Sequence, residues 1–596
     1  MTAENPENRI KENGQEAPDM SVKDVYILCK SHLDIGFTDH AGKVVRQYVD
    51  QDFPKAIEVG RALQNTETPF IWTVGSYMLS KALDTDDGTL DQAVRDGIIH
   101  WEAMPYTPQT ELMNEELLDY ALQLSDNLGK RFGKKVISAK LTDVPGHTLG
   151  LVRALARHGV RFLHVGVNAV SPLPEGPRLF RWRLGTDEIV VLYCVGYMQL
   201  GDFAVLLDCN GDNSGPQTEE EVRALYADAA RRYPGANVRI ATLDDVAERV
   251  CALDMPVVQD EIGDTWIHGA GTDPWKISAY RAILRALEGK SLEEYDLRDN
   301  LLLVPEHTCG VNLSRYFRNG TDYYLPDMAK LTEDPGRKYM EYSWEEQRDY
   351  VRKAAEAVGL DLEQEMRVER PDLTGYRKEE DFCPEETEVE LSYQLFDNAD
   401  YDRFKKKYMK SFKYDFPWDF TKIGLPDYQG GIYPARAVEK WTRGSSRIYR
   451  LAFEGEVVEL CGLPEVWLET DGEHVTLSWF NKAANRLPEA YWLKFRRLGE
   501  GWKLHKLGEW IDPHRVIGSL LIHGVERGVR NGQYRIDTLD APLVAPFGRR
   551  LLDYEPDMQG ETDLYFNLYN NIWNTNYPMW FGDDMKFRFV IGKTGE

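Results

Sequence analysis

Short apolar runs alternate with stretches of helical periodicity over the first half of the chain. The first run, Val25–Cys29, precedes a helical stretch near Lys43–Leu63 and a second run at Phe70–Val74. Strands that alternate with helices of roughly ten to fifteen residues are typical of βαβ units and a parallel sheet. The predicted strands are 25–29, 70–74, 98–101, 136–141, 162–167, 189–195 and 238–242, and the predicted helices are 43–63, 90–95, 114–132, 149–158 and 219–231. In such a fold the active site lies at the carboxyl ends of the strands.

The pattern changes twice further along the chain. Residues 281–385 are dominated by helix formers and charges and predict a helical domain. Residues 386–596 contain short alternating runs, such as 457–460, 475–480 and 587–591, separated by turn residues, and predict a β-sandwich. Residues 1–22 are polar and predict a disordered tail. The remaining segment, 23–280, is the predicted α/β catalytic domain.

Composition narrows the classes of partner. A formal net charge of -27 argues against nucleic acid and anionic membranes, which require clustered lysine and arginine. The seven cysteines have no metal-finger spacing, and the N-terminus has no apolar targeting segment, so we expect a soluble, cytoplasmic protein with reduced thiols. The 15 tryptophans and 31 tyrosines suit sugar binding, although a large β-rich core is an equally good explanation.

His32 and Asp34 follow the first apolar run, where a strand should end. Side chains two residues apart in an extended chain share a face, so the imidazole and the carboxylate are expected to converge at the end of the strand. A barrel enzyme can hold a divalent metal in this way. The alternative is an ordinary strand end, because His-x-Asp is a short motif that also occurs by chance.

Three later segments contain further candidate residues. Asp143 lies at the end of the predicted strand 136–141, although Asp-x-Pro-Gly is also a good turn sequence. His268 lies in a loop before a predicted helix, where a single histidine is usually structural. Asp212 lies in an Asn-Gly-Asp-Asn-Ser-Gly loop that is also compatible with a simple turn. The segment 306–308, Glu-His-Thr, is predicted to be a surface loop, the alternative being approach to the site.

Taken in order, His32-x-Asp34, Asp143-Val-Pro-Gly-His147 and His268-Gly resemble the motifs of the retaining α-mannosidases of glycoside hydrolase family 38. The sequence His-Leu-Asp-Ile-Gly-Phe-Thr-Asp is similar to a bacterial group of that superfamily labelled only as a domain of unknown function. The resemblance implies a (β/α)7-type barrel and one zinc ion bound by His32, Asp34, Asp143 and His268. Two histidines and two carboxylates are suitable zinc ligands, but such a set also accepts other divalent metals.

The resemblance also implies catalytic roles. Asp143 would be the nucleophile that forms a glycosyl-enzyme intermediate, while the metal holds sugar hydroxyls. Asp212 matches the family's acid/base loop, and Asp208 is the reserve for that role. The residues implied to contact substrate are Phe37, His147, Trp266, Asp273 and Asn576.

The chain departs from the family pattern where substrate is held. Phe37 follows Gly36 in a region where the family usually has a tryptophan, and His268-Gly-Ala replaces the usual His-Arg-Gly. The identity of the sugar therefore remains undetermined. The predicted function is a zinc-dependent retaining α-glycosidase acting on an oligosaccharide or other glycoside. The alternatives are a metal-dependent carbohydrate deacetylase on a related barrel, in which Asp143 is a base, and a catalytically silent carbohydrate-binding protein. A homo-oligomer is expected only by analogy.

Overall fold

A computed structural model describes residues 18–168, 171–194, 196–317, 319–385, 387–409, 421–455, 457, 464–496, 498–556 and 563–594. The chain divides into two compact units. The first unit covers the described residues up to Gln109 together with Glu115–Glu261. The second unit covers Thr110–Asn114 together with the described residues from Ile262 onward. Most of the predicted tail 1–22 lies outside the described residues, and its described end, 18–22, contains no helix or strand.

The first unit alternates strands and helices along most of its length. Its strands are β1 Asp24–Lys30, β2 Trp72–Gly75, β3 Ile99–Glu102, β4 Ser138–Asp143, β5 Phe162–Val167, β6 Leu179–Leu184, β7 Asp187–Tyr193, β8 Gly196–Leu200, β9 Phe203–Asp208, β10 Asn237–Ile240 and β11 Val257–Val258. Its helices are α1 Ala41–Gln47, α2 Phe53–Leu63, α3 Ser76–Ala82, α4 Thr89–Arg95, α5 Glu115–Phe132, α6 Leu151–Arg157, α7 Glu219–Arg232 and α8 Leu243–Val250.

These strands form two mainly parallel sheets. The first has the order β3-β2-β1-β9-β8, with β10 also pairing with β1, and the second has the order β11-β6-β7-β5-β4. Strands β1, β2, β3, β9 and β10 pair in parallel, as do β4, β5 and β7. Because parallel strands share a direction, the carboxyl ends of β1 and β9 lie side by side. The parallel α/β content expected from the apolar runs is therefore present.

The buried faces of the strands form the core of the first unit. One apolar cluster joins Leu28 of β1, Val205 of β9, Phe162 of β5 and Leu192 of β7 with Val246 of α8. All of these side chains are almost completely buried. Near-continuous apolar strands of this kind are covered on both faces, as parallel sheets require. This rigid layer fixes the ends of β1, β4 and β9, where the candidate residues lie.

Two details of the first unit differ from the sequence-based expectation. The predicted helix 43–63 is divided between α1 and α2 by a π-helical turn, Tyr48–Asp52. Strands β6, β8, β9 and β11 and helices α3 and α8 were not predicted. The run Phe-Ala-Val-Leu-Leu in β9 is short and fully apolar, which signals a buried strand, whereas β6 alternates arginines with apolar residues.

The second unit begins with helices and continues with strands. Its helices are α9 Pro274–Leu287, α10 Leu313–Tyr316, α11 Leu325–Met328, α12 Pro335–Val358, α13 Leu362–Met366 and α14 Asn398–Tyr408, and a short strand, β12 Glu261–Ile262, lies at its start. Helix α9 begins at Pro274 because the Asp273 side chain accepts a hydrogen bond from Lys276 N. Helix α12 ends at Gly359, whose φ of 71° is the left-handed conformation typical of helix ends. No helix among the described residues is long and apolar enough to cross a membrane.

Most strands of the second unit form two large antiparallel sheets, whereas Val516–Ile517 pairs separately with β12. The strands are β13 Arg377–Glu379, β14 Val389–Leu395, β15 Gly431–Pro434, β16 Arg436–Arg443, β17 Ser446–Ala452, β18 Glu465–Thr470, β19 His474–Phe480, β20 Glu489–Phe495, β21 Lys503–Lys506, β22 Glu509–Ile511, β23 Val516–Ile517, β24 His523–Gly524, β25 Gly528–Arg530, β26 Tyr534–Thr538, β27 Leu543–Ala545, β28 Tyr565–Asn570 and β29 Met585–Lys593. The predicted strands 475–480 and 587–591 fall within β19 and β29. Of the predicted strand 457–460, residues 458–460 lie outside the described residues.

Aromatic side chains connect the two large sheets. One sheet has the order β13-β16-β17-β18-β19-β29-β26-β25-β21-β22, and the other β15-β14-β20-β28-β27-β24. Trp479 of β19 lies 5.1 Å from Tyr491 of β20, and Phe566 of β28 lies 5.0 Å from Phe589 of β29, between ring centroids. Large buried rings give each pair a sizeable apolar contact area. The fold thus combines mixed α/β sheets with a large antiparallel β region.

Candidate metal centre

Three carboxylates surround one nitrogen of His32 at the end of β1. His32 Nε2 lies 3.5 Å from Asp143 Oδ1, 3.6 Å from Asp34 Oδ1 and 3.8 Å from Asp212 Oδ1. The side chains of His32 and Asp34 are 9% and 5% exposed, whereas that of Asp212 is 48% exposed. The cluster therefore has a buried side and an open side, as a site that must admit a ligand requires.

Asp143 reaches this cluster through an unusual backbone conformation. It is the last residue of β4 and has a φ of 73°, in the left-handed region that disfavours most side chains but is tolerated by aspartate. The neighbouring Thr142 N donates to Thr107 Oγ1 at 2.8 Å. Strained backbone of this kind persists where the surroundings enforce it, and it occurs often at functional sites.

Asp212 approaches the cluster because its neighbour Asn213 fastens the loop to the end of β1. Asn213 Oδ1 accepts a hydrogen bond from Asp34 N at 3.0 Å, and its Nδ2 donates to Asp34 O at 3.0 Å. Asn213 N also donates to His32 O at 3.2 Å. Asn213 itself has a φ of 49°, which asparagine tolerates better than most residues. Asn213 thus aligns the loop with both residues of the first motif, with Asp34 through its side chain and with His32 through its backbone N–H.

The charges of the cluster fit a divalent cation. Burial acts to lower the pKa of His32, but the negative charges of Asp143 and Asp34 outweigh it and hold the pKa well above the usual value. His32 Nε2 is buried and has no hydrogen-bond partner among the described residues. Atoms that bind one cation at about 2.1 Å in tetrahedral geometry are separated by about 3.4 Å. The observed distances of 3.5 to 3.8 Å are close to that spacing.

A buried layer of polar groups supports the cluster from behind. Tyr48 OH donates to His32 O at 2.8 Å, and Lys140 Nζ donates to Ser31 O at 2.7 Å. Glu102 accepts the backbone N–H of Lys140 at 2.8 Å. Burial raises the pKa of Glu102 and lowers that of Lys140. These groups hold the loop after β1 in place, and the sequence analysis identified none of them.

Cys209 adds a thiol beside the cluster. Lys30 Nζ lies 3.7 Å from Cys209 Sγ. Burial acts to raise the pKa of this thiol, but a hydrogen bond with His32 and the charge of Lys30 lower it to about 6. The reserve acid, Asp208, instead accepts a hydrogen bond from Gln217 Nε2 at 2.7 Å. Of the two candidate acids, Asp212 is therefore the one placed within 4 Å of His32 Nε2.

Two other predicted residues of the first unit lie in contrasting environments. Phe37 is half-buried with a φ of 58°, directly after the first motif. His147 is almost fully buried, and burial lowers its pKa to about 3. Neither ring nitrogen of His147 has a hydrogen-bond partner in the described part of the chain. Phe37 is thus partly accessible, and His147 is a neutral buried side chain.

In the second unit, His268 is fully buried against an aromatic ring. Its imidazole stacks on Trp573 with centroids 5.9 Å apart and an interplanar angle of 13°. Asn570 Nδ2 donates to His268 O at 2.9 Å. Burial lowers the pKa of His268 to about 3, and neither ring nitrogen has a hydrogen-bond partner among the described residues. A neutral imidazole of this kind is in the protonation state that metal binding requires.

The other predicted substrate residues of the second unit already have structural partners. Asp273 caps α9 and accepts hydrogen bonds from Arg348 at 2.8 and 3.0 Å. Asn576 Oδ1 accepts the backbone N–H of Cys309 at 2.7 Å. Trp266 Nε1 donates to Tyr408 OH at 3.2 Å. These contacts give each side chain a defined position.

The prediction of a surface loop at 306–308 is wrong. Glu306, His307 and Thr308 are 2%, 3% and 1% exposed. The carboxylate of Glu306 lies 2.7 Å from His307 Nδ1, and Thr308 N donates to the same carboxylate at 3.1 Å. A carboxylate on one ring nitrogen commonly fixes the tautomer and orientation of a metal-binding histidine. Connecting segments usually lie on the surface, but hydrogen bonds within this segment allow it to be buried.

Comparison with solved structures finds the same fold in glycoside hydrolases. An α-mannosidase from Enterococcus faecalis V583 has a TM-score of 0.56 and 9% identity, covering 96% of this chain and 87% of that chain. A protein of glycosyl hydrolase family 38 from Enterococcus faecalis has a TM-score of 0.53 and 8% identity, covering 97% of this chain and 87% of that chain. At these identities the likeness concerns the fold. The resemblance to family 38 is thereby confirmed at the level of architecture.

Sequence comparisons add one short match. A family model described as a domain of unknown function, DUF5054, matches residues 270–381. This match is consistent with the predicted relationship to a group that has only such a label. No curated protein matches the chain.

Proposed function

We propose that the protein is a zinc-dependent retaining α-glycosidase, similar to family 38 α-mannosidases, that cleaves a glycoside or oligosaccharide. The observation that supports this proposal most directly is the convergence of Asp34, Asp143 and Asp212 on Nε2 of His32 within 3.8 Å. Retaining glycosidases need two carboxyl groups beside the scissile bond, and zinc needs nitrogen and oxygen ligands. This cluster offers both in one place.

In this proposal His32, Asp34 and Asp143 hold the metal, and His268 is the fourth ligand implied by the family resemblance. His307 is the alternative candidate for the fourth ligand position, because the Glu306 carboxylate orients the His307 ring. When bound, the metal supplies positive charge that orients hydroxyl groups of the sugar and stabilises charge in the transition state. The buried side of the cluster, 9% exposed at His32, excludes water from that interaction.

Asp143 and Asp212 carry out the chemical steps in this proposal. An oxygen of Asp143 forms a bond to the anomeric carbon while the bond from that carbon to the leaving oxygen breaks, and Asp212 gives its proton to the leaving oxygen. In the second step Asp212 takes a proton from water, whose oxygen replaces Asp143 on the anomeric carbon. The 48% exposure of the Asp212 side chain gives water and the leaving group a route to it.

The proposal is tested with a panel of nitrophenyl α-glycosides and a fluorinated glycosyl trapping reagent. We expect turnover that a chelator abolishes and zinc restores, and a mass increase of one glycosyl group on the peptide containing Asp143. Asp143→Asn should lose both turnover and the adduct, whereas Asp126→Asn, on helix α5, should retain both. Chelator-sensitive release of acetate from acetylated sugars, without an adduct, would instead establish the deacetylase. Sugar binding without turnover of any substrate would establish a binding protein.

A further inference from the structure

The second unit contains a cavity of ≈ 370 Å³ that the proposed reaction does not use. Its lining residues are Ser314, Phe317, Asn319, Tyr323, Ile423, Arg486, Asn574 and Met579. Small-molecule sites commonly enclose about 300–1,000 Å³, so the cavity suits a ligand of monosaccharide size. The lining combines apolar and aromatic walls with amides and one charged side chain, Arg486, and it contains no carboxylate.

Arg486 is held rigidly at this cavity although it is only 1% exposed. Its Nη1 donates to Asn319 Oδ1 at 3.1 Å and to Asp322 O at 2.6 Å, and its Nη2 donates to Asn319 O at 2.9 Å. The rings of Tyr323 and Phe317 lie 4.4 and 4.9 Å from its Cζ. Its Nε has no hydrogen-bond partner among the described residues. The guanidinium is therefore fixed in position and retains an unused donor.

A second buried basic side chain, next in sequence to a lining residue, interacts electrostatically with Arg486. Lys422, the neighbour of the lining residue Ile423, is 5% exposed, and its Nζ has no hydrogen-bond partner in the described part of the chain. Burial and the charge of Arg486 lower the pKa of Lys422, whereas Glu489 acts to raise it. Glu489 already has Lys482 Nζ at 2.6 Å. Buried donors left without acceptors are costly, and native structures rarely keep them unless something outside the chain satisfies them.

The carboxylates closest to Arg486 accept hydrogen bonds from other residues and not from Arg486 Nε or Lys422 Nζ. Asp322 and Asp327 act on Arg486 through their charge. The Asp322 carboxylate accepts a hydrogen bond from Asn319 Nδ2 at 2.6 Å, and that of Asp327 lies 2.6 Å from Lys330 Nζ. Arg486 donates a hydrogen bond to the backbone oxygen of Asp322 and not to its carboxylate. Among the residues that the structure describes, Arg486 Nε and Lys422 Nζ thus have no acceptor, and an external acceptor would complete their hydrogen bonds.

We propose that this cavity binds the carboxylate of an acidic sugar, a uronic acid unit, through Arg486 and Lys422. The unused Nε–H of Arg486 is a charge-assisted donor for a carboxylate, and Phe317 and Tyr323 are aromatic lining residues suited to a sugar ring. Asn319 and Asn574 bring side-chain amides to the cavity wall. A bare inorganic oxyanion would leave the apolar wall formed by Ile423 and Met579 without a partner. This inference goes beyond the proposed glycosidase, since it requires neither the metal nor Asp143.

Isothermal titration calorimetry on the full chain tests the proposal with three probes. Methyl β-glucuronide and methyl β-glucoside differ only in the carboxylate, and inorganic phosphate tests for simple anion binding. We expect the glucuronide to bind at least about tenfold more tightly than the glucoside, because charge-assisted hydrogen bonds are the strong ones. Phosphate should bind more weakly than the glucuronide. Equal binding of the two sugars, or phosphate binding as tight as that of the glucuronide, overturns the proposal.

Single substitutions test whether the glucuronide binds in this cavity. Lys422→Met should reduce the preference for the glucuronide and retain thermal stability, because it removes an unpaired buried amine. Arg486→Lys should also reduce the preference, since lysine cannot offer a donor at the position of Nε and keep the hydrogen bonds that Nη1 and Nη2 make. Lys586→Met, a lysine of β29 outside the cavity, is the matched control and should leave binding unchanged. A reduced preference in either cavity variant supports the assignment, and an unchanged preference in both overturns it. The Asp143→Asn variant should bind the glucuronide with the same affinity as the wild type. The cavity proposal can therefore fail or succeed independently of the glycosidase proposal.

Discussion

Asn213 holds Asp34 by both of its backbone polar groups, with 3.0 Å from Asp34 N to Asn213 Oδ1 and 3.0 Å from Asn213 Nδ2 to Asp34 O. Asn213 Nδ2 also lies within hydrogen-bond distance of Gly36 O and Thr38 Oγ1, at 3.2 and 3.0 Å. The loop that presents Asp212 and the loop that presents His32 are thus fixed to each other by one amide. The arrangement of the cluster depends on this amide as much as on the charged side chains.

Asn213→Ala should therefore weaken metal binding without removing a ligand. Substituting a residue that positions a metal ligand typically costs about 10- to 100-fold in metal affinity, and we expect a loss in that range. The variant also places alanine at a φ of 49°. Asn481→Ala is the matched control, because Asn481 has a φ of 58° in a different loop. Metal titration of both variants measures the difference, and equal affinities in the two would contradict the role of Asn213.

Asp212→Asn and Asp208→Asn should separate the acid/base from its reserve. If Asp212 is the acid, its variant retains the metal, loses most turnover on substrates with poor leaving groups and loses less on activated nitrophenyl glycosides. Asp208→Asn should alter mainly the hydrogen bond to Gln217, which is 2.7 Å long, and keep the bulk of the turnover. Loss of metal from Asp212→Asn, measured by elemental analysis, would show that Asp212 is a ligand instead.

His268→Gln should lower the metal content if His268 is the fourth ligand. His307→Gln is the comparison variant, because His307 is also buried and has the carboxylate of Glu306 at 2.7 Å from its Nδ1. Elemental analysis of both purified variants gives the metal per chain. Retention of metal by His268→Gln together with its loss from His307→Gln would assign the fourth position to His307.

Acid should destabilise the protein partly through His164. Burial, followed by the charge of Lys30, lowers the pKa of His164 to about 3 in the folded protein. The unfolded value is about 6.5, so the unfolded state binds more protons below that pH, and stability falls as pH decreases towards 3. Between pH 7 and pH 5 this one group should cost about 2 kcal/mol.

His164→Phe removes that dependence. Urea unfolding of wild type and variant should give curves of stability against pH that run parallel above about pH 7.5 and separate progressively below pH 6.5, where histidine becomes protonated in the unfolded chain. An identical dependence between pH 7 and pH 5 in the two proteins would mean that His164 has the same pKa in the folded protein as in the unfolded chain. The group that packs directly on it is Cys194 O, 2.9 Å from Nε2.

Lys482→Met should destabilise the second unit strongly. Lys482 Nζ lies 2.6 Å from Glu489 Oε1, and both side chains are completely buried. Removing the cation leaves Glu489 charged and buried, which typically costs about 3–5 kcal/mol. The double variant Lys482→Met/Glu489→Gln removes the charge as well and should recover part of that loss. Chemical denaturation measures both, and equal stability of wild type and Lys482→Met would contradict this account.

The apolar run Val25–Cys29 was sufficient to predict the strand that ends before His32. The two-residue spacing predicted that His32 and Asp34 converge at the end of that strand. A later apolar run also predicted that Asp143 lies at the end of another strand, and the structure brings these three residues together. Local patterns carry such information because side-chain direction in a strand repeats every two residues. The hydrogen bonds that fix the cluster were not predicted. Asn213 and Asp34 are 179 residues apart, and Lys140 and Ser31 are 109 apart.

The sequence by itself thus determined the alternation of elements, the order of the motifs and the kinds of side chain available for catalysis. Only the tertiary structure decided which polar groups are buried together, such as Glu306 with His307, and which charges act on each other, such as Lys422 and Arg486. The physical reason is that burial depends on how strands and loops pack against one another, which a local period in the sequence does not record. A surface loop was therefore predicted at 306–308, where packing instead buries the Glu306 carboxylate against His307 Nδ1.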